Sequence, residues 1–311
     1  MSSGEFDLIR RYFDIHTLRH PYNQLGIGDD CALLKIPDTC QLAVSADTMV
    51  ENIHFFAGAD PEQLGHKLLA VNLSDLAAMG AEPFAVTLCA TLPKVDEDWL
   101  LAFSRGFFEL ARRYQVDLIG GDTTAGPLTL TAQVFGAVPV GQALLRSTAN
   151  SGDLIYVSGP IGDAGLGLKI KQGYACFNPE AALKRFNTPM PRIEIGLALS
   201  GIASACIDIS DGLAADLGHI LTKSRVGACL HYASLPLSTE VRAYIAASGD
   251  VYMPLSAGDD YELCFTAHPD MHGRLPAGCH CIGVIEAAPG LRINRDGGVE
   301  DFVIKGYEHF K

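Results

Sequence analysis

The run from residue 60 to residue 80 predicts a helix that carries a carboxylate on its apolar side. Asp60 followed by Pro61 is typical of an N-cap and first helical position, and Gly80 is typical of the residue after a helix end. Asp75 lies on the stripe that the apolar side chains form. Those apolar residues recur at the spacing of one helix face: Leu64, Leu68, Val71 and Met79.

The position of Asp75 calls for a partner. A buried, unpaired carboxylate costs several kcal/mol, and the macrodipole disfavours an anion near a helix C-terminus. One interpretation is local: Asn72 or Ser74 satisfies the carboxylate, or the helix breaks before Asp75. The other is that the carboxylate binds a cation. The stretch alone leaves both open.

Composition limits the classes of protein. The 311 residues suggest about two domains, and 48% hydrophobic with 19% charged residues indicates a globular chain. A net charge of −13 argues against nucleic-acid or anionic-membrane partners, and no apolar run approaches the ~18 residues of a membrane span. The nine cysteines are scattered without a C-x-x-C pair, which disfavours a disulfide framework. We expect a cytoplasmic protein.

Segment patterns predict an α+β fold. Strand-like "QLAVSADT", "LIGGDTT" and alternating "LTLTAQVFGAV" are interleaved with helical periods over 61–79 and 97–115, the second capped by Asp96 or Asp98. The turn-rich stretch "PVGQALLRSTANSGD" predicts a domain boundary, which gives domains 1–147 and 148–311. The second half has strand-like "LIYVSG", "ACIDIS" and "YELCFTA", and helical "GLAADLGHILTKS" and "MPRIEIGLALSGIA".

Acidic residues recur beside Gly, Ser or Thr, where strands are expected to end or helices to begin. Each alone is typical of a cap or an Asx-turn. Brought together, they would repel one another unless divalent cations lay among them, and hard oxygen ligands suit Mg²⁺. The residues concerned are Asp29, Asp30, Asp47, Asp75, Asp122, Asp208, Asp211, Asp259, Asp260 and Glu262.

A glycine-rich stretch and an arginine suggest phosphate binding. "SGPIGDAGLGLKIKQG" follows a strand and opens a helix, so its N–H groups could bind phosphate, although it matches neither a P-loop nor a dinucleotide fingerprint. The alternative is that its glycines only permit close helix packing. Arg146 is a candidate phosphate ligand or an exposed linker residue. These features favour an enzyme that handles a nucleotide polyphosphate with several Mg²⁺ ions. The alternative is a non-catalytic Mg²⁺- or Ca²⁺-binding protein.

Several motifs resemble the bacterial thiamine-monophosphate kinase family over nearly the whole chain. They are "GEFDLIRRYF", "LGIGDDCALL", "VSADTMVENIHF", "AVNLSDLAAMGAEP", "LIGGDTT", "IDISDGLAADLGHI", "GDDYELCF" and "KGYEHF". The resemblance implies the aminoimidazole-ribonucleotide-synthetase-like fold, with an N-terminal domain that forms the sheet or barrel of a homodimer and an α+β C-terminal domain. It also implies ATP-dependent phosphorylation of thiamine monophosphate to thiamine diphosphate. Sister enzymes of the hydrogenase-maturation or aminoimidazole ribonucleotide synthetase type remain the alternative.

The resemblance also assigns site residues. Gly121, Asp122, Arg146 and Ser210 would contact ATP, and His54, Glu262 and Tyr307 the thiamine monophosphate. The implied Mg²⁺ ligands are Asp30, Ser45, Ala46, Asp47, Asp75, Asp122, Asp208 and Asp211. The family usually has Thr where this chain has Ala46, so only a backbone carbonyl is left there to bind metal.

The implied reaction explains why no nucleophile–base pair stands out. A phosphate acceptor is already largely dianionic near neutral pH, because its second pKa is about 6. We therefore expect direct in-line transfer without a covalent nucleophile, with Mg²⁺ offsetting the repulsion between the two phosphates. Apart from the resemblance, His54 could equally be an ordinary core or surface histidine. Near a cationic thiazolium it is expected to be neutral, or to donate to the acceptor phosphate.

Overall fold

The computed structural model describes residues 8–14 and 18–303 and divides the chain into two compact units. Unit 1 comprises Met1–Leu76 and Ala81–Gly141, and unit 2 comprises Ala77–Gly80 and Gln142–Lys311. The boundary predicted at 147/148 therefore falls inside unit 2. Leu145, just before the predicted boundary, is hydrogen-bonded within that unit, because its carbonyl accepts from Cys206 N at 3.1 Å.

Unit 1 contains an open sheet of four strands beside a two-stranded ribbon. The sheet has the order β3-β6-β4-β5, in which β4 and β5 are parallel and the other pairs antiparallel. The antiparallel strand predicted from "LTLTAQVFGAV" is confirmed as β6. Within the described residues the sheet does not close into a barrel. The strands are β1 (Asn23–Leu25), β2 (Leu33–Leu34), β3 (Cys40–Val50), β4 (Glu82–Leu92), β5 (Asp117–Ala125) and β6 (Thr129–Pro139).

Two long helices accompany this sheet, α1 (Pro61–Ala78) and α2 (Glu97–Arg113). The predicted caps are confirmed: Asp60 accepts from Gln63 N at 2.9 Å, and Asp96 accepts from Trp99 N at 3.1 Å. The single apolar stripe predicted for α1 is too narrow, because most of this helix is buried on every side. At Gly106, a Cβ would lie 1.8 Å from the carbonyl oxygen of Glu62, so the two helices make backbone contact.

The strand ends predicted at Asp47 and Asp122 are wrong. β3 continues to Val50, with Asp47 opposite Ala132 on β6, and β5 continues to Ala125 with Asp122 opposite Cys89. Long-range pairing extends each strand through its polar residues. Both carboxylates therefore project from the sheet, where neighbouring strands fix their positions.

Unit 2 is built on a seven-stranded sheet in the order β13-β12-β9-β11-β7-β10-β8. Its strands are β7 (Leu154–Val157), β8 (Ala205–Asp208), β9 (Gly227–His231), β10 (Leu263–Ala267), β11 (His280–Glu286), β12 (Gly290–Arg295) and β13 (Gly298–Phe302). All neighbours are antiparallel except the parallel pair β9 and β12. The sheet confirms the strands predicted from "LIYVSG", "ACIDIS" and "YELCFTA".

The helices of unit 2 are shorter. They are α3 (Asp163–Lys171), α4 (Glu180–Asn187), α5 (Ile193–Ala198), α6 (Leu213–Ser224), α7 (Thr239–Ser248) and α8 (Met253–Ser256). The helix predicted from "MPRIEIGLALSGIA" is reduced to α5, which is followed by Gly201 at a φ of +69°. Mixed helices and mainly antiparallel sheets confirm the α+β class. Among the described residues, no helix is both long and apolar enough to cross a membrane.

Candidate functional site

An acidic cavity of about 890 Å³ lies within unit 1. Three of the predicted site residues line it: Asp30 from the loop before β2, and Gly121 and Asp122 from β5. Asp29 also lines it, and so does Arg10 from the first described segment. The volume is in the range of small-molecule sites, typically ~300–1,000 Å³. The cavity can therefore take a nucleotide-sized ligand with carboxylates along its wall.

Gly121 owes its place in this cavity to backbone geometry. Its φ is +147°, and a Cβ there would lie 1.8 Å from the carbonyl oxygen of Leu88 on β4. The register between β4 and β5 also shifts by one residue just before Gly121. Val86 pairs with Leu118 and Thr87 with Gly120, so Ile119 has no partner on β4. The irregular strand turns Asp122 into an exposed position at the cavity wall.

Asp75 is half-buried and has a partner on the sheet. The Oγ of Ser45 on β3 donates to Oδ2 of Asp75 at 2.5 Å. The break predicted before Asp75 as one alternative is wrong, since α1 continues to Ala78. Two predicted metal ligands, far apart in the sequence, are thus in direct contact.

Asn72 holds the same strand one helical turn earlier. Its side-chain oxygen accepts from Asp47 N at 2.9 Å, and its amide donates to the carbonyl of Leu68 at 2.8 Å. Asp47 and Ala46 are exposed on β3, next to the half-buried Ser45. The α1–β3 contact therefore presents two carboxylates and a hydroxyl in a fixed arrangement. Their hard oxygen atoms fit Mg²⁺.

His54 follows β3 in a turn and is half-buried. Its Nδ1 accepts a hydrogen bond from Val50 N at 3.0 Å. A ring nitrogen that accepts cannot carry a proton, so the proton of this neutral imidazole is on Nε2. The Nε2–H group is a donor suited to a phosphate oxygen.

In unit 2, the loop Ser210–Gly212 joins β8 to α6 and follows the buried Asp208. Asp216, only 2% exposed, accepts hydrogen bonds from all three amides of this loop. Burial, followed by the charges of Asp208 and Asp211, raises the pKa of Asp216 to about 8. The sequence interpretation missed Asp216, although an acid in the first turn of a helix was a usable signal.

The glycine-rich phosphate site predicted at the start of α3 contains an internal carboxylate instead. Asp260, which is 1% exposed, accepts from Gly162 N at 2.8 Å and from Ala164 N at 3.4 Å. Burial raises the pKa of Asp260 to about 7. On either side, Asp259 and Tyr261 adopt positive φ values of 68° and 48°, which direct Asp260 inward.

Glu262 is completely buried and held by two arginines. Its carboxylate accepts from Arg185 at 2.6 Å, from Nε of Arg192 at 2.7 Å, and from the Oγ of Ser158. The arginine side chains are 19% and 27% exposed, so they separate the carboxylate from solvent. A ligand would have to displace an arginine to reach Glu262 directly.

Comparison with known proteins decides the family. The chain is 47% identical to the thiamine-monophosphate kinase of Salmonella typhimurium (strain LT2) over 323 aligned residues, which cover 100% of this chain and 99% of the relative. The chain belongs to the thiamine-monophosphate kinase family. This confirms both the resemblance and the predicted enzyme class, a kinase.

Further comparisons agree with this assignment. Residues 28–138 match the family model described as AIR synthase related protein, N-terminal domain. The thiamine-monophosphate kinase structure from Stenotrophomonas maltophilia K279a has a TM-score of 0.85 at 43% identity, covering 96% of this chain and 98% of that one. AaThiL complexed with AMPPCP and TMP has a TM-score of 0.81 at 28% identity, covering 99% and 97%. These matches confirm the predicted fold of the single chain, of the aminoimidazole-ribonucleotide-synthetase-like type.

The remaining site residues of this family member are only partly located. Arg146 is exposed, and its carbonyl accepts from the Oγ of Ser224 at 2.9 Å. Tyr307 lies outside the described residues. Within residues 8–14 and 18–303, no group of three or more His, Cys, Asp or Glu side chains is close enough to hold a metal ion. The full metal-ligand set therefore stays a prediction.

Proposed function

We propose that this chain transfers the γ-phosphate of ATP to thiamine monophosphate and forms thiamine diphosphate. The observation that carries the proposal is the cavity of unit 1, because it combines nucleotide size with the wall carboxylates Asp30 and Asp122 in a member of this kinase family. AaThiL, a relative at 28% identity, is complexed with AMPPCP and TMP. A nucleotide and a phosphate ester are thus the two ligands to test.

The carboxylates of unit 1 have the chemistry for binding magnesium with a nucleotide. Asp30 and Asp122 at the cavity, and Ser45, Asp47 and Asp75 at the α1–β3 contact, offer hard oxygen atoms. In unit 2, Asp208 and Asp211 offer carboxylate oxygen atoms of the same kind. Bound Mg²⁺ would neutralise phosphate charge and orient the phosphate oxygens.

The other residues bind and orient the two substrates. Gly121 lacks a side chain, so its backbone can approach the phosphates of ATP, while Arg146 and Ser210 add donors. The Nε2–H of His54 is suited to donate to the acceptor phosphate. The resemblance assigns Glu262 to the binding of thiamine monophosphate. Because Arg185 and Arg192 donate to Glu262, these arginines would contact the ligand, and Glu262 would hold them in place.

We propose direct in-line transfer without a phosphorylated enzyme. The acceptor oxygen is already ionised near pH 7, so a general base is unnecessary. Stereochemical analysis with a chiral γ-phosphoryl group is expected to show inversion at phosphorus. Net retention would contradict a single displacement.

A coupled ADP assay tests the function. Purified protein with ATP and Mg²⁺ is expected to release ADP only when thiamine monophosphate is added. We expect Asp122→Asn to lower kcat/KM at least 100-fold, because a charged ligand at the cavity wall is lost. Asp38→Asn, in an exposed turn before β3, is the matched control and should retain activity. Absence of substrate-dependent ADP would overturn the proposal.

We also propose that unit 1 forms a homodimer through its sheet and that the protein works in the cytoplasm. β3 is an edge strand of 11 residues, and its side chains Leu42 and Val44 are 45% and 48% exposed. An edge strand with exposed apolar residues favours pairing with another chain. Sedimentation analysis should give a dimer for the wild type and a monomer for Val44→Glu. A monomeric wild type would refute the dimer without affecting the kinase proposal.

A further inference from the structure

The loop Ser210–Gly212 is fixed by one carboxylate oxygen. Oδ2 of Asp216 accepts from Ser210 N at 3.0 Å, from Asp211 N at 3.0 Å and from Gly212 N at 3.1 Å. Three consecutive amides can converge on one oxygen because Gly212 adopts a φ of +112°. The loop conformation therefore depends on an acceptor at this point.

The loop is also held through the carbonyl group of Ser210. Asp259 N donates to the carbonyl of Ser210 at 2.9 Å, and a Cβ on Gly258 would lie 2.2 Å from the same oxygen. These contacts restrain the loop through this carbonyl group, whereas its three N–H groups donate to Asp216. Amide groups that lose their acceptor in a largely buried site destabilise the conformation that holds them there, so loss of Asp216 would favour another loop conformation.

We propose that Asp216 is a positioning residue, which orients Ser210 and Asp211 for binding of the magnesium–nucleotide complex. This inference rests on the proposed function, in which Ser210 contacts ATP and Asp211 binds Mg²⁺. Asp216 itself is 2% exposed and acts through the loop amides. Its effect is therefore specific to the nucleotide, whereas binding of thiamine monophosphate does not depend on it.

The hydrogen-bond geometry allows the role of Asp216 as an acceptor to be tested separately from any role of its negative charge. All three amides use the same oxygen, so the side-chain oxygen of asparagine can accept all three bonds without a charge. Leucine branches at the same atom and has no acceptor, although its two methyl groups make it larger. Asp216→Asn should therefore preserve the loop, and Asp216→Leu should release it.

A second buried carboxylate of unit 2 provides the matched control. Asp153, which is 3% exposed, accepts from Asn150 N at 2.9 Å and from the Oγ of Ser204 at 2.5 Å, and so holds a different turn. Asp153→Leu should destabilise unit 2 about as much as Asp216→Leu. It should not change the affinity for nucleotide, because its hydrogen bonds hold no part of the Ser210–Gly212 loop.

Steady-state kinetics with ATP, Mg²⁺ and thiamine monophosphate test the proposal at a temperature where every variant is folded. We expect Asp216→Leu to raise the KM for MgATP at least tenfold and to leave the KM for thiamine monophosphate within threefold of wild type. Asp216→Asn and Asp153→Leu should keep both KM values within threefold. An unchanged KM for MgATP in Asp216→Leu would overturn the proposal. An equal rise of this KM in Asp216→Asn would also overturn it, because it would indicate a role of the negative charge.

Two further measurements keep the test decisive. Should Asp216→Leu fail to fold, Asp216→Ser replaces it, since its shorter side chain cannot reach all three amides and should raise the same KM. Should the wild type show no kinase activity, the proposed function fails, and calorimetric binding of MgADP to wild type and variants tests the positioning role alone. Equal affinity of wild type and Asp216→Ser for MgADP would then refute it.

Discussion

The buried ion pairs of Glu262 allow a quantitative test of how unit 2 is stabilised. Glu262→Gln keeps the shape of the side chain and removes its charge, which leaves Arg185 and Arg192 beside a neutral amide. The glutamate side chain is 0% exposed and the arginines 19% and 27%. Removing one partner of a buried pair typically costs about 3–5 kcal/mol. We expect about 3 kcal/mol here, because the glutamine oxygen still accepts one hydrogen bond.

The matched control is Glu286→Gln. Glu286 pairs with Arg292 at 2.5 Å, but its side chain is 36% exposed, so water can replace the lost contact. Exposed pairs contribute ~0.2–1 kcal/mol, and we expect a loss below 1 kcal/mol. The effect of the same chemical change in the same unit should thus differ by about 2 kcal/mol between the two sites.

Urea unfolding followed by two signals provides the assay. The single tryptophan, Trp99, lies in α2, so its fluorescence reports on unit 1, whereas far-ultraviolet circular dichroism reports on both units. Glu262→Gln should shift the dichroism transition to lower urea and leave the fluorescence transition in place. Equal stabilities of Glu262→Gln and Glu286→Gln, within 0.5 kcal/mol, would refute the reasoning.

Three other predictions follow from packing, titration and capping. Gly106→Ala should destabilise unit 1 by at least about 2 kcal/mol in urea unfolding, because a Cβ would lie 1.8 Å from the carbonyl of Glu62; a neutral effect would contradict the helix contact. The folded-state pKa values of Asp216 and Asp260 are raised to about 8 and about 7, so the folded chain binds more protons than the unfolded chain above pH 4. In chelator-treated protein this contribution should lower the free energy of unfolding as pH rises from 4 to 8, and asparagine at both positions should flatten the slope; an unchanged slope would refute it. Asp96→Ala should lower the midpoint of thermal unfolding, since it removes the N-cap of α2, and an unchanged midpoint would contradict the capping role.

Local signals in the sequence were sufficient to predict both ends of α1 and the start of α2. Asp60 and Asp96 cap helices in the predicted places because an N-cap depends on amides only two or three residues away. Gly80, at a φ of +64°, follows the predicted end of α1. Interactions of this range can be read from a short window, so their prediction did not require the fold.

The errors concern contacts that join distant parts of the chain. Asp47 and Asp122 lie within strands because partners on β6 and β4 extend the pairing through them. Asp260 reaches an amide 98 residues away, and Arg185 reaches Glu262 across 77 residues. No local pattern reports such contacts, so the sequence indicated neither the carboxylate at the start of α3 nor the arginines around Glu262.

The unpaired edge of β3 also affects the conditions under which the protein should be expressed. A long edge strand with exposed apolar side chains can pair non-specifically with strands of other chains before the chain has folded and assembled. Because this strand belongs to the first half of the sequence, it emerges from the ribosome while unit 2 is still being synthesised. Slow expression at low temperature should therefore reduce aggregation, since it lowers the concentration of incomplete chains.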